Sequence, residues 1–418
     1  MPASLHIFTS AAVNYLPKVR VLCRSLRRFH PEAVIHLALA DERPAWLTTE
    51  NEPFDDVMPV SELGIPNWRA WTFTHDIVEL STAIKPFALK RLLSEPGCET
   101  VLYFDPDMAL FSRVDDILER LAQANVALTP HQTKPEKTRD AVIDNEITSL
   151  RMGVFNLGFV GVRNSPEGHA FAEWWGQRCY DFCRAEVYNG LFTDQKWINF
   201  APIFFDGVAI LKSPRHNVAT WNLTTRVLTG DGASGFRVDG EPLGFYHFTG
   251  FDSGAHRIMA IKNAPGNQSL QELIAWYDRE TAPSRDDPVT RTPWAFGKFS
   301  DGTPIKPHHR WMYRESQDLR SAFADPYAAG GPAEVSFLEW ANTEGRVRFP
   351  HFFAKDGGSA KYSPPMNHSG VPPGMAFRLF LLMFSPQGGR SLRQRFVRMM
   401  KREGVGGIAR RLRRGLQG

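Results

Sequence analysis

The stretch Val101-Leu102-Tyr103-Phe104-Asp105-Pro106-Asp107-Met108 limits the possible folds most strongly. Four apolar or aromatic residues in a row read as a strand buried on both faces, the pattern of parallel sheets covered by helices. The run ends abruptly in two carboxylates. In open α/β sheets, ligands bind just beyond the carboxyl ends of such strands. Pro106 stiffens the turn between the acids by fixing its own φ and holding Asp105 extended. Two carboxylates this close repel unless a cation lies beside them. Hard divalent ions take oxygen ligands, and Mg²⁺ combines one or two carboxylates with substrate phosphates. The stretch therefore reads as a metal–diphosphate site. An isolated Asp-x-Asp is more often a solvated acidic turn, so its weight depends on the rest of the chain.

Upstream, Leu5–Thr9 is strand-like, a helical pattern runs from Asn14-Tyr15 through Phe29, and Val34–Ala40 is a second strand. Strand, helix and strand of these lengths make a βαβ unit and open a parallel sheet. No Gly-x-Gly-x-x-Gly follows the first strand, which excludes a dinucleotide fingerprint. Glu79–Leu93 ends in a helix whose Pro86 belongs in the first turn. Lys85 then sits at the helix mouth, suited to a phosphate or carboxylate, or is an exposed surface lysine. Asp115–Ala122 reads as a helix and Val126–Thr129 as a strand.

Phe155-Asn156-Leu157-Gly158-Phe159-Val160-Gly161-Val162 is a further apolar strand. Glycine within a strand marks close approach by a ligand or backbone, and a buried Asn156 needs hydrogen-bond partners. Ser165-Pro166 caps and starts a helix. Asp194–Asn199 reads as a helix, and Ile203–Phe205 and Val208–Leu211 as strands. In Gly244–Phe251, His247 is flanked by aromatics on a strand. Alone it is a core histidine; joined to the two aspartates it shifts the preferred ion from Mg²⁺ toward Mn²⁺.

The bulk composition is that of a soluble globular enzyme, with 43% hydrophobic and 22% charged residues. Cys23, Cys98, Cys179 and Cys183 read as buried free thiols of a reducing compartment. No signal peptide opens the chain, and no window carries the roughly 20 apolar residues of a membrane span. The location expected is cytoplasmic, peripheral on the inner face of the membrane. The net charge of +4 hides an asymmetry: from Gln387 onward the chain is about +9, leaving the body about −5. An acidic body argues against a nucleic-acid partner. Apolar residues at helical spacing between the arginines make 375–418 a basic amphipathic helical tail suited to an anionic membrane surface, or a helix docking on the body or a partner. The organisation expected is a nucleotide-binding domain over 1–282, an accessory or connector region over 283–350, a flexible linker over 351–374, and that tail.

The order of motifs is more specific than any one of them. TAIKPFALKRLL precedes VLYFDPDMALF, and FNLGFVGVRNS, DQKWINFAP and RHNVATWNL before FYHFTGF follow. Over about residues 4–255 this resembles the GT-A glycosyltransferases, in particular bacterial lipopolysaccharide and capsule transferases akin to the retaining galactosyltransferase/glycogenin family. The FSDGTPI segment resembles a connector beside transferase domains in polysaccharide-assembly proteins.

The resemblance implies an α/β fold with a Rossmann-like, mixed central sheet and helices on both faces. It implies Mn²⁺ or Mg²⁺ held by Asp105, Asp107 and His247 against a donor diphosphate. Thr9 and Tyr15 would face the base, and Lys85 the donor phosphates or sugar. Asn156, with Gly158 beside it, and the Asp194-Gln195 pair would border the transferred sugar; Gly250 would lie by the diphosphate. The activity implied is transfer from a nucleoside-diphosphate sugar to a saccharide or lipid-linked acceptor in surface polysaccharide synthesis. Retention would have Gln195 beside the reacting face; inversion would use Asp194 or Asp252 as base. Where the family carries Lys-Pro-Trp after His-x-x-Gly, this chain has Phe251-Asp252-Ser253-Gly254. A sugar nucleotidyltransferase and a non-catalytic membrane-associated scaffold are the alternatives. The former usually has a Gly-rich basic loop after the first strand, and Thr9-Ser10-Ala11-Ala12 is not one.

Overall fold

The first strand, β1 (Leu5–Ala11), is buried throughout and pairs in parallel with two neighbours, β2 (Val34–Leu39) and β4 (Thr100–Phe104). It is thereby an inner strand of a seven-stranded sheet in a computed structural model that describes residues 4–282, 287–330 and 335–353. The order is β3-β2-β1-β4-β7-β6-β8, with β3 at Asp56–Pro59, β6 at Val126–Pro130, β7 at Phe155–Arg163 and β8 at Val208–Ile210. Only β7 runs against its neighbours β4 and β6. The mixed sheet with helices on both faces is the architecture that the resemblance implies.

The chain leaves β1 toward β2 and β3, then returns to add β4 on the other side. That reversal is the switch point where open α/β sheets bind ligands. Because β7 is antiparallel, its first residues, not its last, lie at the same edge. Alternation sorts the apolar run of β4: Val101 and Tyr103 enter one core, Leu102 and Phe104 the other.

Beyond the edge the chain turns at Asp105–Asp107, closed by Met108 N donating to Asp105 O at 3.0 Å. It then forms β5 (Met108–Leu110), which pairs antiparallel with β12 (Phe245–His247) and sets His247 opposite Met108. Between them in sequence, β9 (Leu228–Asp231), β10 (Gly235–Val238) and β11 (Glu241–Pro242) form a small meander.

Four helices concern the site: α1 (Leu16–Phe29), α2 (Trp68–Phe73), α3 (Ile77–Ala83) and α4 (Lys85–Leu93). The helix expected at the end of Glu79–Leu93 is α4, with Pro86 in its first turn as expected, and α3 precedes it, separated at Ile84. Pro86 cannot donate to an i−4 carbonyl, so a new helix starts there. The expected strand at Ile203–Phe205 is instead the end of the helix Ala201–Phe204. Ile203 is 74% exposed and Phe204 54% exposed, so the apolar run has no sheet to enter. The helix expected over Asp194–Asn199 is a 3₁₀ helix, Lys196–Phe200, that starts after Gln195. Ser165 caps the helix Pro166–Phe182 as expected, its Oγ accepting from Gly168 N at 3.1 Å. All four cysteines are buried and free.

The described residues between 296 and 341 share the core of the sheet domain. Phe73 packs edge-on against Tyr313, Tyr327 and Phe337, with centroids 5.0–5.4 Å away. At the end of β2, buried Asp41 accepts from Val13 N, Glu42 N and Ala295 N at 3.3, 3.0 and 3.0 Å, and Trp294 Nε1 donates to Ala40 O. The linker after residue 353 and the tail at 375–418 lie outside the described residues.

Asp41 therefore latches a distant segment to the sheet edge. Asp41→Ala leaves buried donors unsatisfied and should cost about 1–3 kcal/mol in chemical denaturation. Asp41→Asn, which keeps acceptor oxygen, should cost less. Equal losses would mean that the charge, not the acceptor, holds the latch.

Candidate active site

Asp105, Asp107 and His247 come together at the switch-point edge. One ligand atom from each lies within 4.8 Å of the others. Nε2 of His247 is 3.0 Å from Asp107 Oδ1 and 3.8 Å from Asp105 Oδ2. Register explains the approach: β5 pairs with β12, and Phe248 N donates to Asp107 O at 2.8 Å just beyond the last pair.

Asn156 orients the imidazole from behind. Its Oδ1 accepts from Gly158 N (3.2 Å), Asn217 Nδ2 (3.1 Å) and His247 Nδ1 (3.3 Å). With the Nδ1 proton so directed, Nε2 is left facing the acids and would be the ligand atom toward a metal, the usual outer-shell arrangement at metal sites. Trp221 packs edge-on against the ring, centroids 5.4 Å apart. Gly158 makes room: a Cβ there would lie 2.4 Å from Met108 Cε, 2.8 Å from Asn156 Oδ1 and 2.8 Å from His247 Cε1.

Asp105 divides its two oxygens between different tasks. Oδ1 accepts from Tyr103 OH at 2.5 Å and has the Lys85 ammonium at 3.2 Å. Oδ2 is left toward His247. Tyr103 OH in turn meets Ser10 Oγ at 3.0 Å. Two carboxylates and an imidazole, oriented from behind and with ligand atoms converging, could hold a divalent metal ion.

Lys85 is 2% exposed. Its ammonium lies 3.2 Å from both Asp105 Oδ1 and Asp194 Oδ2, donates to Leu157 O at 3.0 Å, and sits over the Tyr103 ring. Burial works to lower its pKa, but the two carboxylates outweigh this and hold it well above the usual lysine value. It is thus an internal counter-ion first, rather than the open helix-mouth cation that the sequence suggests. Burial also opposes charge on Asp107 and His247, yet their attraction lowers the carboxyl's pKa and raises the imidazole's.

The other expected residues divide into two groups. A cavity of about 370 Å³ beside the acids is lined by Ser10, Ala12, Tyr15, Lys85 and Asp107, among others. Tyr15 is among its lining residues. Thr9 does not line it: it is buried within β1, 1% exposed, and its hydroxyl has no partner among the described residues. Asn156, Asp194 and Gln195 stand behind the acids and are not in its walls. Both ends of the Gln195 amide are engaged, Oε1 accepting from Leu157 N at 3.0 Å and Nε2 donating to Met152 O at 3.1 Å. Gly250 occupies a left-handed turn at φ +71°, and its carbonyl accepts from His256 N. Larger cavities of about 610 and 710 Å³ lie elsewhere and include none of the three ligand residues.

Lys18, Tyr103, Asn217 and Trp221 were not singled out by sequence reasoning. Lys18 lies one helical turn from Tyr15, donating to its hydroxyl at 2.9 Å and pairing with Asp252 at 2.5 Å. Spacing from Tyr15 was the available signal. Asn217 and Trp221 lie inside RHNVATWNL, where nothing local separates a site asparagine from a turn residue.

No family model matches the chain. Two Bacillus subtilis (strain 168) proteins are similar in sequence, both described as uncharacterized. YfnF is 28% identical over 260 residues, 60% of this chain and 84% of its own; YfnD is 27% identical over 255 residues, 60% and 78%. Among solved structures, the galactosyltransferase LgtC in complex with donor and acceptor sugar analogs is 16% identical with a TM-score of 0.39, covering 67% of this chain and 95% of its own. The glycosyltransferase GlyE of Streptococcus pneumoniae TIGR4 is 16% identical with a TM-score of 0.40, covering 68% and 64%. The WbbM bifunctional glycosyltransferase is 13% identical with a TM-score of 0.34, covering 67% and 52%. The side chains at the strand edge, not these likenesses, carry the functional reading.

Two substitutions test the geometry. Gly158→Ala should cost about 1–3 kcal/mol in unfolding experiments, because Met108 and His247 must both give way. Tyr103→Phe frees Oδ1 of Asp105 and should weaken Mn²⁺ binding about tenfold by titration calorimetry. Unchanged Mn²⁺ affinity in the second variant would mean that Lys85 alone orients Asp105.

Proposed function

We propose that the chain is a metal-dependent glycosyltransferase. It moves a sugar from a nucleoside-diphosphate sugar to a saccharide or lipid-linked acceptor in surface polysaccharide synthesis, with retention at the anomeric carbon. The observation that carries this reading is the convergence of Asp105, Asp107 and His247 beside a cavity bearing Tyr15 at the sheet's switch point. The glycosyltransferase names of the similar solved structures agree with it but do not carry it.

Asp105, Asp107 and His247 would hold Mn²⁺ or Mg²⁺. A divalent ion there supplies Lewis-acid stabilisation of the departing diphosphate, which removes the need for a general acid. The chain's own residues do the rest. Tyr15 offers a ring for the base, with Lys18 over its face at 4.5 Å. Lys85 keeps Asp105 oriented and adds fixed positive charge where negative charge grows. An inverting route needs a free carboxylate near the acceptor hydroxyl. Both candidates are engaged, Asp194 by Lys85 and Asp252 by Lys18, which favours retention. No helix among the described residues is long and apolar enough to cross a membrane. The basic segment 375–418 would instead hold the enzyme on an anionic membrane surface near a lipid-linked acceptor.

The test is donor screening by thermal shift with Mn²⁺ across UDP-, GDP- and CDP-sugars. A bound donor raises stability by mass action, about 2.7 kcal/mol at a hundredfold excess over Kd. Asp107→Asn should abolish the metal-dependent part. A shift that persists in that variant without metal would count against the site.

A further inference from the structure

Helix α3 is one wall of the cavity at the acids. Ile77, Val78, Ser81 and Thr82 line it, the i, i+1, i+4, i+5 stripe of a single helix face. Glu79 lies off that stripe and is turned into the protein, 8% exposed. Its Oε1 accepts from Ala185 N at 3.0 Å, and its Oε2 from Asp76 N at 3.2 Å and Arg314 Nη1 at 3.4 Å. Arg314 comes from the helix Pro307–Glu315, more than two hundred positions away in sequence. It also donates to Thr74 O at 3.3 Å and Glu186 Oε1 at 2.8 Å. One turn earlier, Arg310 donates to Phe73 O at 2.9 Å and Phe296 O at 2.6 Å. Two arginines of one helix therefore grip the turn between α2 and α3 and the buried face of α3.

A seven-residue helix is too short to hold itself in water. Its capping box, Asp76 with Glu79, secures only its first turn. What keeps its cavity face in place is what holds its other face, and Arg314 is the charged part of that hold. Removing the guanidinium would leave Glu79 and Glu186 without their buried partner, which is costly enough to move the element that carries them.

We propose that the segment around Pro307–Glu315 is a positioning element of the donor site rather than an appended region, and that Arg314 is the positioning residue, acting through Glu79 on α3. This rests on the donor reading above. It explains why the polypeptide returns from beyond residue 287 to the ligand edge of the sheet.

The experiment uses the full chain and two separate readouts. Mn²⁺ affinity is followed by electron paramagnetic resonance, and affinity for UDP, GDP and CDP in the presence of Mn²⁺ by calorimetry. In Arg314→Gln, nucleotide affinity should fall about tenfold, while Mn²⁺ affinity stays within about twofold because the ion ligands share no partner with Arg314. Arg314→Lys should recover part of the loss. Should Arg314→Gln fail to fold, Glu79→Gln serves: it retains an acceptor for Ala185 N and weakens the pairing with Arg314. Unchanged nucleotide affinity, or nucleotide and Mn²⁺ affinities falling together, would overturn the positioning role. If the unsubstituted protein bound none of the three nucleotides with Mn²⁺, the donor reading itself would fail, and this inference with it.

Discussion

The site depends on one register. The β5–β12 pair sets His247 opposite Met108, and the next hydrogen bond, Phe248 to Asp107, ties that ribbon to the turn that carries both acids. A one-residue slip would turn the imidazole to the other face. The pairing is tolerated only because position 158 on the crossing strand lacks a side chain. The convergence of the three side chains and the seating of the imidazole on Asn156 follow from that contact between a three-residue strand and a turn.

Around this contact the charges are arranged in sequence. His247 faces Asp107, Asp105 is shared with Tyr103 and Lys85, and Lys85 continues to Asp194. Buried charge is expensive unless paired and hydrogen-bonded. Pairing each acid with a cation from another element makes the burial bearable and fixes orientation. The single basic residue that sequence reasoning aimed at the substrate is therefore also structural: its ammonium keeps one metal-ligand candidate from turning.

Much of the sheet was legible because it is written in local pattern. The apolar run before Asp105, the alternation of buried faces, the Ser165-Pro166 helix start and the aromatic strand around His247 each rest on neighbours in sequence. Errors arose where burial was inferred without knowing what would cover the residue. Ile203–Phe205 has strand composition, but Ile203 and Phe204 lie against solvent and end a helix. Thr9 lies too early in β1 to line the cavity, whose wall on this strand begins at Ser10, and it is buried like the rest of β1. Tyr103 reads as one more apolar residue, and only the fold brings its hydroxyl to Asp105.

By itself the sequence determined an α/β sheet, the strand edge at which two carboxylates end, and the residue types able to hold a divalent ion, since strand period and turn chemistry act over a few residues. Tertiary structure alone decided which oxygen of Asp105 remains for an ion, that Lys85 is a counter-ion, and that a helix beyond residue 306 grips the cavity wall. Those outcomes join positions tens to hundreds of residues apart. No local propensity encodes such distances; they are set when apolar faces are buried together and each buried charge must find a partner.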